Sequence, residues 1–199
     1  MKSTKAMNVA PGLLIAMPQL RDPNFTRAVV LMLEHNDEGS FGVVVNQESQ
    51  LLVAELLSSV DIPWNGAADT SVWAGGPVMP GSCWVLHTGC EGLPLAVPSL
   101  DEAMDTTGNV EICDGLYLST STQNLEILAD TPPAQSRVIL GYSGWEGGQL
   151  AQEMAQGSWL HADVDIQALF ELPSDELWEQ SLRSMGIDPD AIVQSWGVH

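Results

Sequence analysis

Two histidines, one among acidic and amide side chains and one after an apolar run, are the residues most able to do chemistry. His35 lies in the polar run EHNDE at residues 34–38, and His87 closes an apolar run. An imidazole titrates near neutrality, so it can act as a general base when a carboxylate orients it. Because side chains alternate along a strand, Glu34 and Asn36 should lie on one face and His35 on the other. A hydrolase with His87 or His35 as base is one hypothesis, and structural histidines beside solvated acids are the alternative.

Other catalytic and phosphate-binding patterns are incomplete. The hydroxyl-rich run STST at residues 119–122 lacks the G-x-S-x-G turn that exposes a nucleophilic serine. Gly141, Gly144 and Gly147 are spaced G-x-x-G-x-x-G, which is neither a dinucleotide fingerprint nor a P-loop. We interpret residues 141–148 as a glycine-rich bend into a helix, whose first backbone N–H groups could receive an anion.

The cysteines indicate a reducing environment. Cys83, Cys90 and Cys113 are odd in number and lack C-x-x-C spacing, which argues against a disulfide framework and against a zinc knuckle. The apolar runs at residues 13–17 and 28–33 are far shorter than the roughly 20 residues needed to cross a bilayer. No secretory-type signal is visible either, so we expect a cytoplasmic protein with free thiols and no membrane association.

The charge balance restricts the partners. Six Lys and Arg face 26 Asp and Glu, for a formal charge of −20. Beyond Lys2 and Lys5, the cations are Arg21, Arg27, Arg137 and Arg183. Binding to a phosphate backbone needs several cations acting together, so direct nucleic-acid binding is disfavoured. Docking on an anionic membrane is disfavoured for the same reason.

Hydrophobic patterning supplies the elements that must position these side chains. Val- and Leu-rich runs predict strands, and the near-continuous apolar content of the first ones indicates that both sheet faces are covered. The predicted strands span residues 13–17, 27–35, 41–46, 71–74, 84–87, 116–120 and 137–142. Helices are predicted at residues 52–59, 123–129 and 149–156, after an N-terminal cap at Ser174, and from Asp188-Pro189 onwards.

These elements predict an α/β protein of mixed α+β type. Residues 36–39 form a hairpin loop, and hairpins followed by interspersed helices indicate a mixed, largely antiparallel sheet covered by helices. Residues 1–8 are expected to form a flexible N-terminal tail, and residues 9–199 a single domain. Hydrophobic residues make up 45% of the chain, enough for one sizeable core.

An ordered set of segments resembles the YqgE/AlgH family over nearly the whole chain, from about residue 12 to 186. The segments are Leu13 to Pro18, Asp22-Pro23 with Phe25 and Arg27, Glu34 to Asn36, Gly42 to Asn46, Gly75 to Val78, Val85 to His87, Gly141 to Trp145, Gly148 to Leu150, Trp159-Leu160, Leu169-Phe170 and Trp178. No single motif is decisive, but the ordered set is specific.

The resemblance implies a compact cytosolic α/β fold and no established biochemical activity. The family's label as transcriptional regulators comes from a genetic association with alginate production, and it supplies no catalytic residue or cofactor. This chain departs from the family pattern at Leu33, where cysteine is usual, and at Gln47-Glu48, where a basic residue and proline are usual. Arginines near Ser82 and Thr122 are also missing. These losses further disfavour nucleic-acid contact.

We therefore expect a non-catalytic regulatory or binding protein that acts through a protein partner or small ligand, without a cofactor. Its candidate polar site comprises Asp22, Arg27, Glu34, Asn36, Asn46, His87, Tyr142, Trp145 and Gln149. Arg27 is a candidate anion contact, because its guanidinium suits carboxylate or phosphate, or else it pairs with Asp22 or Glu34. The hydrolase alternative requires His87 or His35 within hydrogen-bond reach of both a carboxylate and an open cavity.

Overall fold

The computed structural model describes residues 9–89, 91–94 and 108–196, so the predicted tail at residues 1–8 lies outside it. The strands are β1 (Gly12–Ala16), β2 (Val29–His35), β3 (Gly39–Val44), β4 (Glu48–Leu52), β5 (Ser71–Ala74), β6 (Val78–His87), β7 (Asn109–Cys113), β8 (Leu116–Ser119), β9 (Ser136–Glu146) and β10 (Trp159–Ala162). The helices are α1 (Val53–Ser58), α2 (Thr122–Asp130), α3 (Gln149–Ala155), α4 (Ile166–Glu171), α5 (Ser174–Ser184) and α6 (Pro189–Trp196), with a 3₁₀ turn at Pro23–Phe25. None of the helices in these ranges is both long and apolar enough to cross a membrane.

The strands form one sheet in the order β10-β1-β2-β3-β9-β6-β8-β7, with β4 and β5 attached beside β9. Every described pairing is antiparallel except that of β5 with β9. Strand β9 is the link, since its last residues pair with β3 and its first residues pair with β6. The prediction of a mixed, largely antiparallel sheet in an α+β protein is confirmed.

Apolar side chains cover both faces of the sheet, as the Val- and Leu-rich strands indicate. In β2, Val29 and Leu31 belong to a core that includes Trp178 of α5. The intervening Val30 and Met32 belong to the opposite core; the other buried members of this core are Val9, Leu14, Ala16, Ala28, Val44, Trp145, Leu150 and Trp159. This alternation fixes the strand register, because a shift of one residue would exchange the two faces.

The corner after β9 differs from the expected bend at residues 141–148. The strand continues to Glu146, and only Gly147 and Gly148 turn the chain into α3. A Cβ at Gly147 would lie 2.5 Å from the carbonyl oxygen of Asp37, so glycine permits the β2–β3 hairpin to pack against this corner. Gly148 adopts a φ of +78°, which favours glycine.

Several other boundaries differ from expectation, and strands β4, β7 and β10 and helix α4 lie where no element was predicted. Pro173, and not Ser174, precedes the first turn of α5, and the Ser174 carbonyl accepts a hydrogen bond from Asn46. Strand β6 begins at Val78, before the predicted start, because it contains a bulge at residues 79–82 opposite Gly141. Within this bulge Met79 is 62% exposed and has a φ of +43°, an uncommon conformation for a residue with a side chain.

Candidate binding cleft

The β2–β3 hairpin, the end of β9 and the start of α3 enclose an open cleft of about 630 Å³. Its lining residues are Glu34, Asn36, Glu38, Gly39, Ser40, Phe41, Val78, Tyr142, Gly144, Trp145, Glu146 and Gln149. Five of the nine residues in the predicted polar site are among them: Glu34, Asn36, Tyr142, Trp145 and Gln149. The other four lie elsewhere.

The floor of the cleft is aromatic, and a glycine leaves it open. Phe41 in β3 pairs with Gly144 in β9, and Tyr142 precedes Gly144 on the same face of its strand. The rings of Phe41 and Tyr142 are partly buried, with centroids 4.7 Å apart, and Trp84 packs edge-on against both. Gly144 contributes no side chain above this floor, so the space above the two paired strands remains accessible.

Three glutamates, Glu34, Glu38 and Glu146, line the cleft together with these aromatic residues. No lysine, arginine or histidine lines the cleft, and both ion pairs found among the described residues involve Glu179, which lies elsewhere. Asn36 donates to Glu34 Oε1 at 2.6 Å and accepts from two backbone N–H groups of the hairpin turn. The cleft therefore has an uncompensated negative charge at a rim held by hydrogen bonds.

Trp145 and Gln149 hold the wall of the cleft through Glu153, a residue that sequence reasoning missed. The indole N–H groups of Trp145 and Trp159 donate to Glu153 Oε2 at 3.0 and 2.8 Å, and Gln149 donates to Oε1 at 2.9 Å. Gln149 also accepts from the Glu146 backbone N–H, which fixes the turn into α3. The four-residue spacing of Gln149 and Glu153 on a predicted helix was the signal available.

Asn46 lies at a separate junction, between the start of β2 and α5. Its Oδ1 accepts from the Val29 N–H at 2.7 Å, and its Nδ2 donates to the carbonyls of Arg27 and Ser174 at 2.9 and 3.3 Å. The side chain is buried, so these bonds satisfy groups that water cannot reach. Asn46 acts here as a structural bridge.

Arg27 belongs to the same junction and contacts neither Asp22 nor Glu34. Its guanidinium lies 5.1 Å from the Trp178 ring centroid, and its Nη1 is 3.9 Å from Glu179 Oε1. Arg27 has a φ of +51° and a side chain that is 54% exposed. Asp22 instead accepts from the backbone N–H of Asn24, at the start of the 3₁₀ turn.

His87 is buried near β8, away from the cleft. Its Nδ1 accepts from the Gly89 N–H at 3.1 Å, so its Nε2 donates to Ser119 Oγ, which donates in turn to Asn109. Burial lowers the pKa of His87 from 6.5 to about 4, against a smaller raising effect from Asn109. Among the described residues no carboxylate contacts this imidazole, so the geometry that the hydrolase hypothesis requires of His87 is not present.

His35 meets part of the requirement of the hydrolase hypothesis, because it lies at an open cavity. Its Nδ1 lies 2.7 Å from Ser40 Oγ on the adjacent strand. It lines a second cavity of about 910 Å³ together with Asp37 and His161, and Asn36 lines both this cavity and the cleft. Within the described ranges, no hydrogen bond joins His35 to a carboxylate.

The remaining candidate groups have structural surroundings. The guanidinium of Arg137, which sequence reasoning did not single out, stacks 3.8 Å from the Trp73 centroid and donates to the Val45 carbonyl, and burial lowers its pKa to about 10. Burial raises the pKa of Cys83 to about 11 and also raises that of Cys113, which disfavours reactive thiolates. Cys90 lies outside the described residues, and the described part contains no cluster of three metal-ligating side chains.

The fold defines a class: α+β proteins built on one mostly antiparallel sheet. The profile of the AlgH-like family matches residues 13–190. The chain is 39% identical over 193 residues to a UPF0301 protein of Myxococcus xanthus, covering 96% of this chain and 99% of the relative. A UPF0301 protein of Anaeromyxobacter is 36% identical over 205 residues, covering 99% and 98%.

Solved structures agree with these matches. The solution structure of the AlgH protein from Pseudomonas aeruginosa aligns over the whole of both chains with a TM-score of 0.73 and 31% identity. A crystal structure from Corynebacterium diphtheriae shares the fold, with a TM-score of 0.66, at 20% identity over 88% of this chain and 86% of the other. This chain belongs to the AlgH-like family, as its ordered motifs predicted.

Proposed function

We propose that this chain is a cytoplasmic, non-catalytic binding protein that regulates a partner, and that the cleft at the β2–β3 hairpin is its binding site. One observation carries the proposal: an aromatic floor and three carboxylates without cationic neighbours meet in an open cleft of about 630 Å³. Pockets of this size with a few convergent polar groups are typical of binding sites.

The charges support a protein or small ligand over nucleic acid. The formal charge of −20 opposes a phosphate backbone. Of the described arginines, Arg27 and Arg183 both contact Glu179, Arg137 is buried, and Arg21 is exposed. These side chains do not form the basic surface that a DNA-binding regulator needs.

The proposal is tested by filling the cleft with Gly144→Leu. A Cβ at Gly144 would meet Tyr142 Cε2 at 3.5 Å and the Ser40 carbonyl oxygen at 4.0 Å, which are ordinary contacts, so the fold should accept the side chain. Affinity capture from native lysate of the source bacterium should recover a partner with wild-type protein and lose it with Gly144→Leu. Arg27→Ala, outside the cleft, is the control and should retain the partner.

Two results would contradict this proposal. If the Gly144→Leu protein keeps its unfolding transition and all of its partners, the cleft is not the binding site. Loss of partners with Arg27→Ala alone would move the binding site to the junction of β2 and α5.

The hydrogen bond of 2.7 Å between His35 Nδ1 and Ser40 Oγ favours a second candidate, a hydrolase in which His35 activates Ser40. The alternative explanation of this hydrogen bond is a structural cross-strand contact, because the two residues are register partners in β2 and β3. An activated serine reacts with a fluorophosphonate probe, whereas a structural serine does not. Labelling that disappears in both Ser40→Ala and His35→Gln would support the hydrolase, and the absence of labelling would reject it.

A further inference from the structure

The charge and shape of the cleft indicate what kind of group it accepts. Glu34, Glu38 and Glu146 line the same cleft, and its lining has no cation. Acidic side chains that line a cleft together give it a negative potential, which attracts ligands of the opposite charge. A positively charged ligand is therefore the complementary one.

The aromatic floor adds a second preference for cations. Phe41 and Tyr142 are partly buried, and Gly144 leaves space between them and the rim. Ammonium and guanidinium groups are attracted to the faces of such rings, and a guanidinium also forms paired hydrogen bonds with carboxylates. A ring floor within a carboxylate rim therefore suits an arginine or lysine side chain.

A third observation indicates a protein segment over a free amine. Val78 lines the cleft, and the next residue, Met79, projects from the β6 bulge with 62% of its surface exposed and a φ of +43°. An exposed methionine beside a charged cleft offers an apolar contact that a chain can reach and a small amine cannot.

Resting on the proposed function, we infer that the ligand of the cleft is a basic segment of a partner protein. An arginine or lysine of that segment lies over the Phe41 and Tyr142 rings beside Gly144, its charge is met by the three glutamates, and an adjacent apolar residue packs on Met79. The other strong candidate, the cavity beside His35 and His161, has no comparable charge preference.

The experiment compares two variants of equal charge with purified full-length protein. Glu34→Gln/Glu38→Gln/Glu146→Gln removes the rim charge, and Glu126→Gln/Glu171→Gln/Glu176→Gln removes three exposed charges outside the cleft lining. Both change the formal charge of −20 by the same three units, so general attraction is matched. The probe is a fluorescent octa-arginine peptide, titrated at an ionic strength of about 0.15 M.

The inference predicts that the rim variant binds the peptide about tenfold more weakly than wild type, and that the control variant changes by less than about twofold. Gly144→Leu, which keeps every charge, should weaken binding by a similar factor. Met79→Ser should reduce affinity for a peptide alternating arginine and leucine, and leave octa-arginine affinity unchanged. Equal losses in the rim and control variants would overturn the inference, because the attraction would then belong to the whole acidic surface.

Spermine separates the two sources of cationic ligand. If spermine binds the wild type at least as tightly as the peptides do, a small amine is the ligand, and the inference of a protein segment is overturned. Absence of peptide binding, combined with loss of captured partners in Gly144→Leu, would reject the basic segment while leaving the cleft as the binding site. If Gly144→Leu also kept its partners, the proposed function would fail as well.

Discussion

The junction of β2 with α5 and the cleft at the β2–β3 hairpin both contain polar residues. At the junction these residues have partners within the protein, whereas the glutamates of the cleft have no cationic partner among the described residues. At the junction, Asn46 is buried with each amide group bonded to backbone, and Arg27 lies between Trp178 and Glu179. In the cleft, Glu34 and its neighbouring glutamates have no cationic partner in the described part of the chain. Satisfied groups of the first kind stabilise a fold, and uncompensated groups of the second kind are available to a ligand.

His87 extends this comparison to a third place and shows that a histidine in an apolar strand can be wholly structural. Both of its ring nitrogens have partners inside the protein. Its side chain is 1% exposed, so a substrate has no access to it. The contrast between satisfied and unsatisfied polar groups can be tested by stability measurements on each region.

The largest expected effect is the pH dependence contributed by His87. Its pKa is about 4 in the folded protein and near 6.5 when the chain unfolds, so between these values the unfolded chain binds a proton that the folded chain does not. This contribution is fully present above pH 6.5 and is lost as the pH falls towards 4, by about 3 kcal/mol. Urea unfolding from pH 7.5 to 4 measures it, and His87→Gln should show a shallower dependence. Identical pH slopes for the two proteins would contradict the buried neutral imidazole.

The next effect concerns the junction. Asn46→Ala leaves the Val29 N–H buried without its partner, so the free energy of unfolding should fall by about 2 kcal/mol. The matched cleft variant, Asn36→Ala, exposes its former partners to water and should cost less than about 1 kcal/mol. Denaturant unfolding of both variants checks the difference. A larger loss for Asn36→Ala would reverse the assignment of structural and binding regions.

A smaller effect is expected at the buried cation. Arg137→Lys replaces a flat guanidinium stacked on Trp73 with an ammonium that cannot lie along the ring or hold the same hydrogen bond, and should cost about 1 kcal/mol. Arg183→Lys, on the exposed surface of α5, is the control and should leave the unfolding midpoint unchanged. Equal stability of the Arg137→Lys variant and the wild type would show that the stacking contributes nothing.

The smallest expected change in stability is that caused by removing the charges of the cleft. Removing the rim charges in Glu34→Gln/Glu38→Gln/Glu146→Gln should leave stability unchanged or increase the folding constant by less than about threefold, because only repulsion is lost. The gain should disappear in about 1 M salt, where charges are screened within about 3 Å. A clear loss of stability would mean that these carboxylates stabilise the fold through more than the hydrogen bond from Asn36 to Glu34, whose acceptor oxygen glutamine retains.

Local patterns predicted the fold more completely than they predicted the site. The hairpin and the two strands beside it follow from alternation and turn chemistry, although β2 begins two residues after its predicted start and β3 lies two residues before its predicted range. The start of β6 was missed because Pro80 and Gly81 in its bulge have the composition of a turn. The prediction of a bend over residues 141–148 was wrong for a related reason. In a sequence, glycines needed for close packing cannot be told from glycines needed for turns.

The site depends on contacts between distant segments, which a single sequence does not specify. Alternation separates Glu34, which lines the cleft, from His35, which lines the second cavity, but Asn36 at the hairpin turn lines both. The bond from Asn46 to the Ser174 carbonyl spans 128 positions, so its structural role appears only when α5 is docked. Similarly, Glu146 joins the cleft because β9 pairs with Gly39 of β3, a register that the sequence pattern leaves open.

Nuclear magnetic resonance titration of the ¹⁵N-labelled protein with octa-arginine tests the central claim most directly. The account predicts that amide shifts concentrate at Phe41, Gly144 and Glu146, saturate with one peptide per chain, and leave Asn46 and the residues around Arg27 unchanged. Shifts centred on the junction of β2 and α5, or spread evenly over the acidic surface without saturation, would contradict it.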